Sequence, residues 1–225
     1  MESKNRTPSA KIHSILIVDD HPLVRVGLKS LIEAEADLKI CGETGQIGEA
    51  LDLVRATEPD LAIVDLSLAD GNGLDLVKRL AAQQEDLRIL VCSMHDESLF
   101  AQRVLSAGAM GYINKQEATT HIIDAVRQVL KGKVWLSKAM TEHMLQGFAQ
   151  GRSSRKIASV ESLSDRELEV FGLIGQGMGP SQIAELLHLS VKTIETHKQK
   201  IKKKLNLSSG SELTRCAMQW ILEQV

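Results

Sequence analysis

Leu61-Ala-Ile-Val-Asp65-Leu-Ser67 is a short apolar run that ends in a carboxylate, and Ala69-Asp70-Gly71-Asn72-Gly73 follows it. A strand apolar on both faces belongs at the centre of a parallel sheet covered by helices. Open α/β sheets place their chemistry in the crevice at the carboxyl ends of such strands. A charge held there costs free energy unless a cation or hydrogen-bond donors face it. Asp65 is therefore either a turn residue with a structural partner or a working group. The rest of the chain decides between the two.

Upstream, His13-Ser-Ile-Leu-Ile-Val18 reads as a strand that Asp19-Asp20-His21-Pro22 closes. Pro22 suits the first turn of a helix, whose predicted apolar stripe is Leu23, Val26, Leu28, Leu31 and Ile32. Leu38 to Cys41 is a second strand, and Ala50, Leu51, Leu53 and Val54 give a helix over 47–56 its buried side. Downstream of Asp65, the pattern predicts a helix over 74–82 and a strand over 87–91 that ends at Cys92-Ser93. A helix over 97–107, a strand over 110–113 and a helix over 118–130 complete the front half. Five strands alternating with five helices predict an α/β doubly wound, five-stranded parallel sheet of the flavodoxin-like kind.

The net charge of −2 hides an asymmetry. Residues 1–133 carry 15 Lys and Arg against 20 Asp and Glu, a net −5, so the remaining 92 residues carry +3. An acidic front joined to a basic back implies two jobs, the second on a polyanion. Cys41, Cys92 and Cys216 are odd in number and widely spaced, which excludes a disulfide framework or a CxxC zinc site and fits a reducing compartment. No apolar stretch approaches a membrane span, and the polar stretch Met1 to Lys11 lacks a signal core. The expected location is the cytoplasm, with no membrane partner.

In a parallel sheet, Asp19, Asp20, Asp65 and Ser93 emerge on one edge, with Lys115 just after the fifth strand. Clustered carboxylates repel one another unless a hard divalent cation sits among them, and Mg²⁺ suits such a site. One carboxylate can then act as nucleophile toward a phosphoryl group, with Lys115 offsetting charge on the transferring oxygens.

At these residues, together with Gly111-Tyr112-Ile113-Asn114-Lys115, residues 12–131 resemble the response-regulator receiver domain. The resemblance implies that Asp65 is the phosphoacceptor. It implies that Asp20, Asp65 and the Ser67 carbonyl hold Mg²⁺ with help from Asp19. It further implies that Ser93 and Tyr112 form a switch pair and that Lys115 contacts the phosphoryl group. Two positions depart from the family: Leu68-Ala69-Asp70 stands where a Pro-Gly pair is common, and Gln116 where proline is common. His95, two residues past Ser93, lies beside the path of an attacking water, and its alternative is a solvated loop residue.

The receiver is expected over 12–132 and a linker over 133–159. The linker holds a short amphipathic helix at 138–149 (Met140, Met144, Leu145, Phe148) and a basic tether at 150–156. A DNA-binding domain is expected over 160–225. Ser164-Asp-Arg-Glu167 forms a capping box, Gly175-Gln-Gly-Met-Gly179 breaks the helix it opens, Pro180 starts a short helix and Ser190 caps the next, over 191–205. With a last helix over 212–222, these four read as a helix-turn-helix domain.

The helix at 191 buries Ile194, Ile201 and Leu205, with His197 on the same stripe as a structural or backbone-contacting residue. Its other sides carry six lysines, a solvated face unless a polyanion docks there. The candidate DNA contacts are Lys192, Thr193, Glu195, Thr196, Lys198, Gln199 and Lys203, of which Glu195, Thr196 and Gln199 suit base edges. Leu163-Ser-Asp-Arg-Glu-Leu-Glu169, Ile183-Ala-Glu185 and Leu189-Ser-Val-Lys-Thr-Ile-Glu-Thr-His197 resemble the LuxR-type DNA-binding domain over 160–222. Pro180 stands where relatives often have a polar residue.

A receiver ahead of such a domain is the architecture of the NarL/FixJ family. The resemblance implies a transcriptional response regulator that a sensor histidine kinase phosphorylates with Mg²⁺. It then pairs as a homodimer on promoter DNA with two half-sites. An aspartyl-phosphate phosphatase is the enzymatic rival, but its usual second Asp is Ser67 here, so no enzyme is expected. The remaining rival is a DNA-binding protein whose front domain is only a dimerisation module.

Overall fold

The structure, a computed structural model, describes residues 11–149, 160 and 162–224. The polar N-terminal stretch before Lys11 and the expected tether at 150–156 lie outside the described residues, as do the side chains of Phe148 and Leu222. The chain divides into two compact units, Met1–Ser137 and Lys138–Val225.

In the first unit the sheet strands are β1 (His13–Val18), β2 (Leu38–Thr44), β3 (Leu61–Val64), β6 (Arg88–Ser93) and β7 (Gly111–Asn114). Their order is β2-β1-β3-β6-β7, all pairs parallel. Between β3 and β6 lies a small antiparallel ladder, β4 (Ser67–Leu68) with β5 (Gly71–Asn72), too short for any periodicity to announce. The helices are α1 (Pro22–Glu33), α2 (Ile47–Thr57), α3 (Gly73–Gln83), α4 (Glu97–Ser106) and α5 (Lys115–Leu130). Successive β-strand side chains point to opposite faces. Ile15, Ile17, Leu61, Ile63 and Leu90 therefore share one core with Leu28 and Ile32 of α1 and with Ile122, Val126 and Val129 of α5. The intervening Leu16, Val18, Ala62, Val64 and Val91 are equally buried, as a sheet covered on both faces requires.

Two expectations shift. Leu23 and Val26 of the predicted α1 stripe are 87% and 63% exposed, and Val24 packs on the core in their place. Helix periodicity left two faces open, and the sheet selects the one that carries Leu28 and Ile32. Helix α5 begins at Lys115 and not at 118, because the Asn114 side chain caps it by accepting the Gln116 amide. The first unit also runs past 132 to Ser137. Strand β7 is an edge whose backbone groups need partners. Trp135 supplies them: its N–H donates to the Met110 carbonyl at 3.0 Å, and its carbonyl accepts the Tyr112 N–H at 2.9 Å.

The second unit contains α6 (Lys138–Ala149), α7 (Asp165–Gly175), α8 (Pro180–Leu186), α9 (Val191–Lys204) and α10 (Gly210–Gln224). Helix α7 opens on the expected capping box between Ser164 and Glu167. Helix α9 packs on α7, α8 and α10, and α10 packs on α7. A Cβ at Gly175 would sit 2.6 Å from the Ala217 carbonyl oxygen, so only glycine lets α7 and α10 approach this closely. Four residues join α8 to α9, with His188 in the left-handed region at φ 52°, giving the tight turn of a helix-turn-helix. No described helix is long and apolar enough to cross a membrane.

Candidate functional site

Strand register builds the first site. Val18, Val64, Val91 and Tyr112 form one row across the sheet, so the residues that follow them leave on one edge. Asp19, Asp65 and Ser93 are all at most 2% exposed there. Lys115, the first residue of α5, places its Nζ 2.7 Å from both Asp19 Oδ2 and Asp65 Oδ2. The His21 N–H donates to Asp19 Oδ1 at 2.8 Å. Burial pushes the Asp19 carboxyl above its ordinary range against the pull of Lys115 and that amide. Burial alone would lower the Lys115 ammonium, but Asp65 and Asp19 outweigh it and hold it above its usual value.

The cluster is not self-neutralised. One ligand atom each from Asp19, Asp20, His21 and Asp65 lie within 4.8 Å of one another, and the Lys115 ammonium pairs with Asp19 and Asp65 while Asp20 lies against His21. Asp65 Oδ1 is buried and has no hydrogen-bond partner among the described residues. Asp20 Oδ1 lies 2.7 Å from His21 Nδ1, close enough for an ion pair if the ring is protonated, yet without hydrogen-bond alignment. Buried carboxylate oxygens lacking donors are open valences that a hard divalent cation fills. The residues present therefore fit Mg²⁺. His21 was not a sequence candidate; its only signal was adjacency to the Asp pair.

Ser93 and Tyr112, the expected switch pair, lie on neighbouring strands. Tyr112 is fully buried and its hydroxyl donates to the His95 carbonyl at 2.7 Å. Burial raises its phenol well above the ordinary value, with the Ser93 hydrogen bond opposing. His95 is no solvated loop residue. Its Nε2 lies 2.9 Å from Ser67 Oγ and its ring stacks on Phe100 at 4.8 Å.

The second site is α9. Lys192, Thr196, Gln199, Lys200 and Lys203 are exposed, while Ile194 and Ile201 face the core. Glu195 pairs with Lys198 at 2.6 Å, and the Lys198 side chain is only 22% exposed, so this lysine is less free than its neighbours. Thr193 belongs to the helix cap, its hydroxyl 2.8 Å from that of Ser190. Thr196 donates its hydroxyl to the Lys192 carbonyl. His197 is half-buried, and burial, then Lys200 and Arg166, lower its pKa. Lys204, also exposed, is tied to the domain: its Nζ meets Glu167 Oε2 at 2.6 Å and the Ser162 carbonyl at 3.0 Å.

Comparison with known proteins matches both units. A family model for the response regulator receiver domain covers residues 15–127, and one for bacterial regulatory proteins of the luxR family covers residues 161–217. Oxygen regulatory protein NreC of Staphylococcus haemolyticus is 35% identical over 208 residues, spanning 91% of this chain and 96% of that protein. Response regulator UvrY of Escherichia coli K12 is 30% identical over 205 residues, spanning 91% and 93%. Among solved structures, RcsB of Salmonella enterica serovar Typhimurium bound to promoter P1flhDC with the phosphomimetic BeF3⁻ superposes with a TM-score of 0.59. That pair is 25% identical, and the alignment covers 92% of this chain and 98% of RcsB.

Proposed function

From the premise that the chain belongs to the NarL/FixJ family of two-component response regulators, a receiver joined to a luxR-type DNA-binding domain, we propose that phosphorylation of Asp65 controls its grip on promoter DNA. It is a DNA-binding transcription regulator rather than an enzyme. The observation that carries the phosphorylation reading is Asp65 itself. It is a buried carboxylate with one oxygen on Lys115 and the other without a partner among the described residues.

The Asp65 oxygen attacks the phosphorus of a sensor kinase phosphohistidine, the P–N bond breaks, and the imidazole regains a proton from solvent. Asp20, Asp65 and the Ser67 carbonyl would hold Mg²⁺, with Asp19 assisting. Bound there, Mg²⁺ neutralises charge on the phosphoryl oxygens. Lys115 adds the second positive charge, and the Ser93 hydroxyl donates to a phosphoryl oxygen. Tyr112 is already inward, so the change that follows belongs to the loop it anchors.

On the output side, Lys192, Lys198 and Lys203 suit DNA phosphates, and Glu195, Thr196 and Gln199 suit base edges, with Thr193 beside them in the helix cap. RcsB dimers solved on DNA, together with RcsB on promoter DNA with BeF3⁻, support extending this reading to a homodimer on two half-sites. The receiver is read over 12–132, the linker over 133–159 and the DNA-binding domain over 160–225.

The test adds beryllofluoride and Mg²⁺ to intact wild type and to Asp65→Asn, then follows sedimentation and DNA binding. A Mg²⁺-dependent rise in dimerisation and affinity in wild type alone is expected. The inward Tyr112 favours one rival, a regulator that works unphosphorylated; equal DNA affinity and promoter activity in both proteins would establish it.

A further inference from the structure

His21 stands beside the acidic cluster without serving the helix it precedes. It occupies the N-cap of α1, where Ser, Thr, Asp or Asn would satisfy the first turn, yet its side chain makes no capping hydrogen bond. Its backbone is nevertheless fixed from both sides. The N–H donates to Asp19 Oδ1 at 2.8 Å, and the carbonyl accepts the Val24 and Arg25 N–H groups at 3.1 and 3.2 Å. So anchored, the ring places Nδ1 2.7 Å from Asp20 Oδ1 and 3.4 Å from Asp19 Oδ1. Several donor atoms of the cluster are already committed. Asp19 Oδ2 and Asp65 Oδ2 face Lys115, and Asp19 Oδ1 takes the His21 N–H. The atoms left over are His21 Nδ1, Asp20 Oδ1 and Asp65 Oδ1, and neither of these oxygens has a hydrogen-bond partner among the described residues. Two carboxylate oxygens suit Mg²⁺, but an imidazole nitrogen suits borderline ions such as Co²⁺, Ni²⁺ and Zn²⁺ better. The spacing agrees. Neighbouring ligands about 2.1 Å from an ion in an octahedron stand about 3.0 Å apart, and the two contacts of Nδ1 lie on either side of that edge.

We propose that His21 is a further ligand of the Asp20–Asp65 site and gives it a preference for a borderline divalent transition-metal ion over Mg²⁺. This rests on the metal reading above, which it deepens. The Nδ1 lone pair takes a coordination position that a water would otherwise fill, with the ring proton on Nε2. Asp20 Oδ1 and Asp65 Oδ1 supply the negative charge, and the Ser67 carbonyl keeps the place given above. The site then ranks ions by their affinity for nitrogen as well as by charge. The residue that sets the ranking is neither Asp65 nor Lys115.

The test titrates Co²⁺ and Mg²⁺ calorimetrically into the metal-stripped full chain, and then Mg²⁺ against bound Co²⁺ to establish that both take one site. Wild type is compared with His21→Ala, His21→Gln and Asp65→Asn, each shown folded by circular dichroism. Wild type should bind Co²⁺ more tightly than Mg²⁺, and Asp65→Asn should weaken both. His21→Ala should lower the ratio of the two affinities about tenfold or more, since even outer partners of a metal ligand are worth about 10–100-fold. His21→Gln fills the same space with an amide and should not restore the ratio, whereas a ring needed only for packing would be replaced. In wild type loaded with Mn²⁺, pulsed EPR should show a coordinated nitrogen that His21→Ala removes. Two ions bound at one site with a ratio that His21→Ala leaves unchanged would overturn the ligand and spare the metal reading. So would Co²⁺ that neither Mg²⁺ nor Asp65→Asn displaces, because it would lie elsewhere. If wild type takes up neither ion, the metal reading of the acidic cluster falls and the His21 ligand with it.

Discussion

Gly73 opens α3 with its backbone pressed against the strand end that carries Asp65. A Cβ there would lie 2.0 Å from the Asp65 carbonyl oxygen and 2.6 Å from the Leu66 Cα. Gly73→Ala must therefore push the Asp65 backbone aside, an overpacking cost of about 1–3 kcal/mol. The thermal midpoint should fall, and phosphoryl uptake should slow in the protein that remains folded. Asp60 shows the opposite economy, a carboxylate whose neighbours hold it in place. It accepts from Lys11 Nζ at 2.6 Å, from the Ser14 N–H at 2.9 Å and from Ser14 Oγ at 3.1 Å. Burial raises its pKa, but these donors prevail and hold it at about 2, below the ordinary 3.8. A carboxyl depressed by folding contributes stability above its unfolded pKa, and that stability is lost as pH falls through the folded value. With Lys11 largely in water, the contribution is about 1–2 kcal/mol. Asp60→Asn should lower the urea unfolding free energy by that amount at pH 7, and the gap should close as pH falls from about 4 toward 2.

Helix α9 carries its lysines to two different ends. Lys203 is exposed, whereas Lys204 is bound to Glu167, which is 4% exposed. Burial favours a protonated Glu167, but the Lys204 bond and the Ser164 amide outweigh it and hold the carboxyl below its usual range. Lys204→Ala would strand that charge and should destabilise the second unit by about 1–3 kcal/mol in thermal unfolding. Lys203→Ala should leave the melting curve in place. In a DNA titration against salt it should weaken all sequences alike and reduce the log–log slope by about one. If both variants behaved alike in both assays, the division of the helix into two faces would be wrong. Spacing alone placed all six lysines in one class, because periodicity reports which way a residue points and not what reaches it from another helix. The same limit applies elsewhere. Strands β1 and β3 were legible because both their faces are apolar, and the acidic edge was legible because a parallel sheet brings all its strand ends to one side. The outward turn of Leu23 and Val26, the return of Trp135 to the β7 edge and the contact of Ser67 with His95 were not. The last two depend on partners 23 to 28 residues away, and the first on a choice between two faces that only the assembled sheet makes.

Across the whole chain, an acidic unit proposed to receive a phosphoryl group and a basic unit of the luxR DNA-binding family form one thermodynamic system. If beryllofluoride on Asp65 tightens promoter binding by some factor, promoter DNA must tighten beryllofluoride binding by the same factor. Couplings of this kind span about five- to 150-fold. The comparison needs no knowledge of how the two units are arranged, only that both ligands act on the same intact chain. We therefore expect two-half-site DNA to lower the beryllofluoride concentration for half-saturation, read by sedimentation or by Trp135 and Trp220 fluorescence. The factor should match that seen in the DNA titrations. A single half-site should give a smaller coupling, because it cannot reward pairing of two chains. Asp65→Asn should bind DNA at the unstimulated level and show no coupling in either direction. A change in DNA affinity without the reciprocal change in beryllofluoride affinity would break the cycle, and the effector would then be acting somewhere other than Asp65.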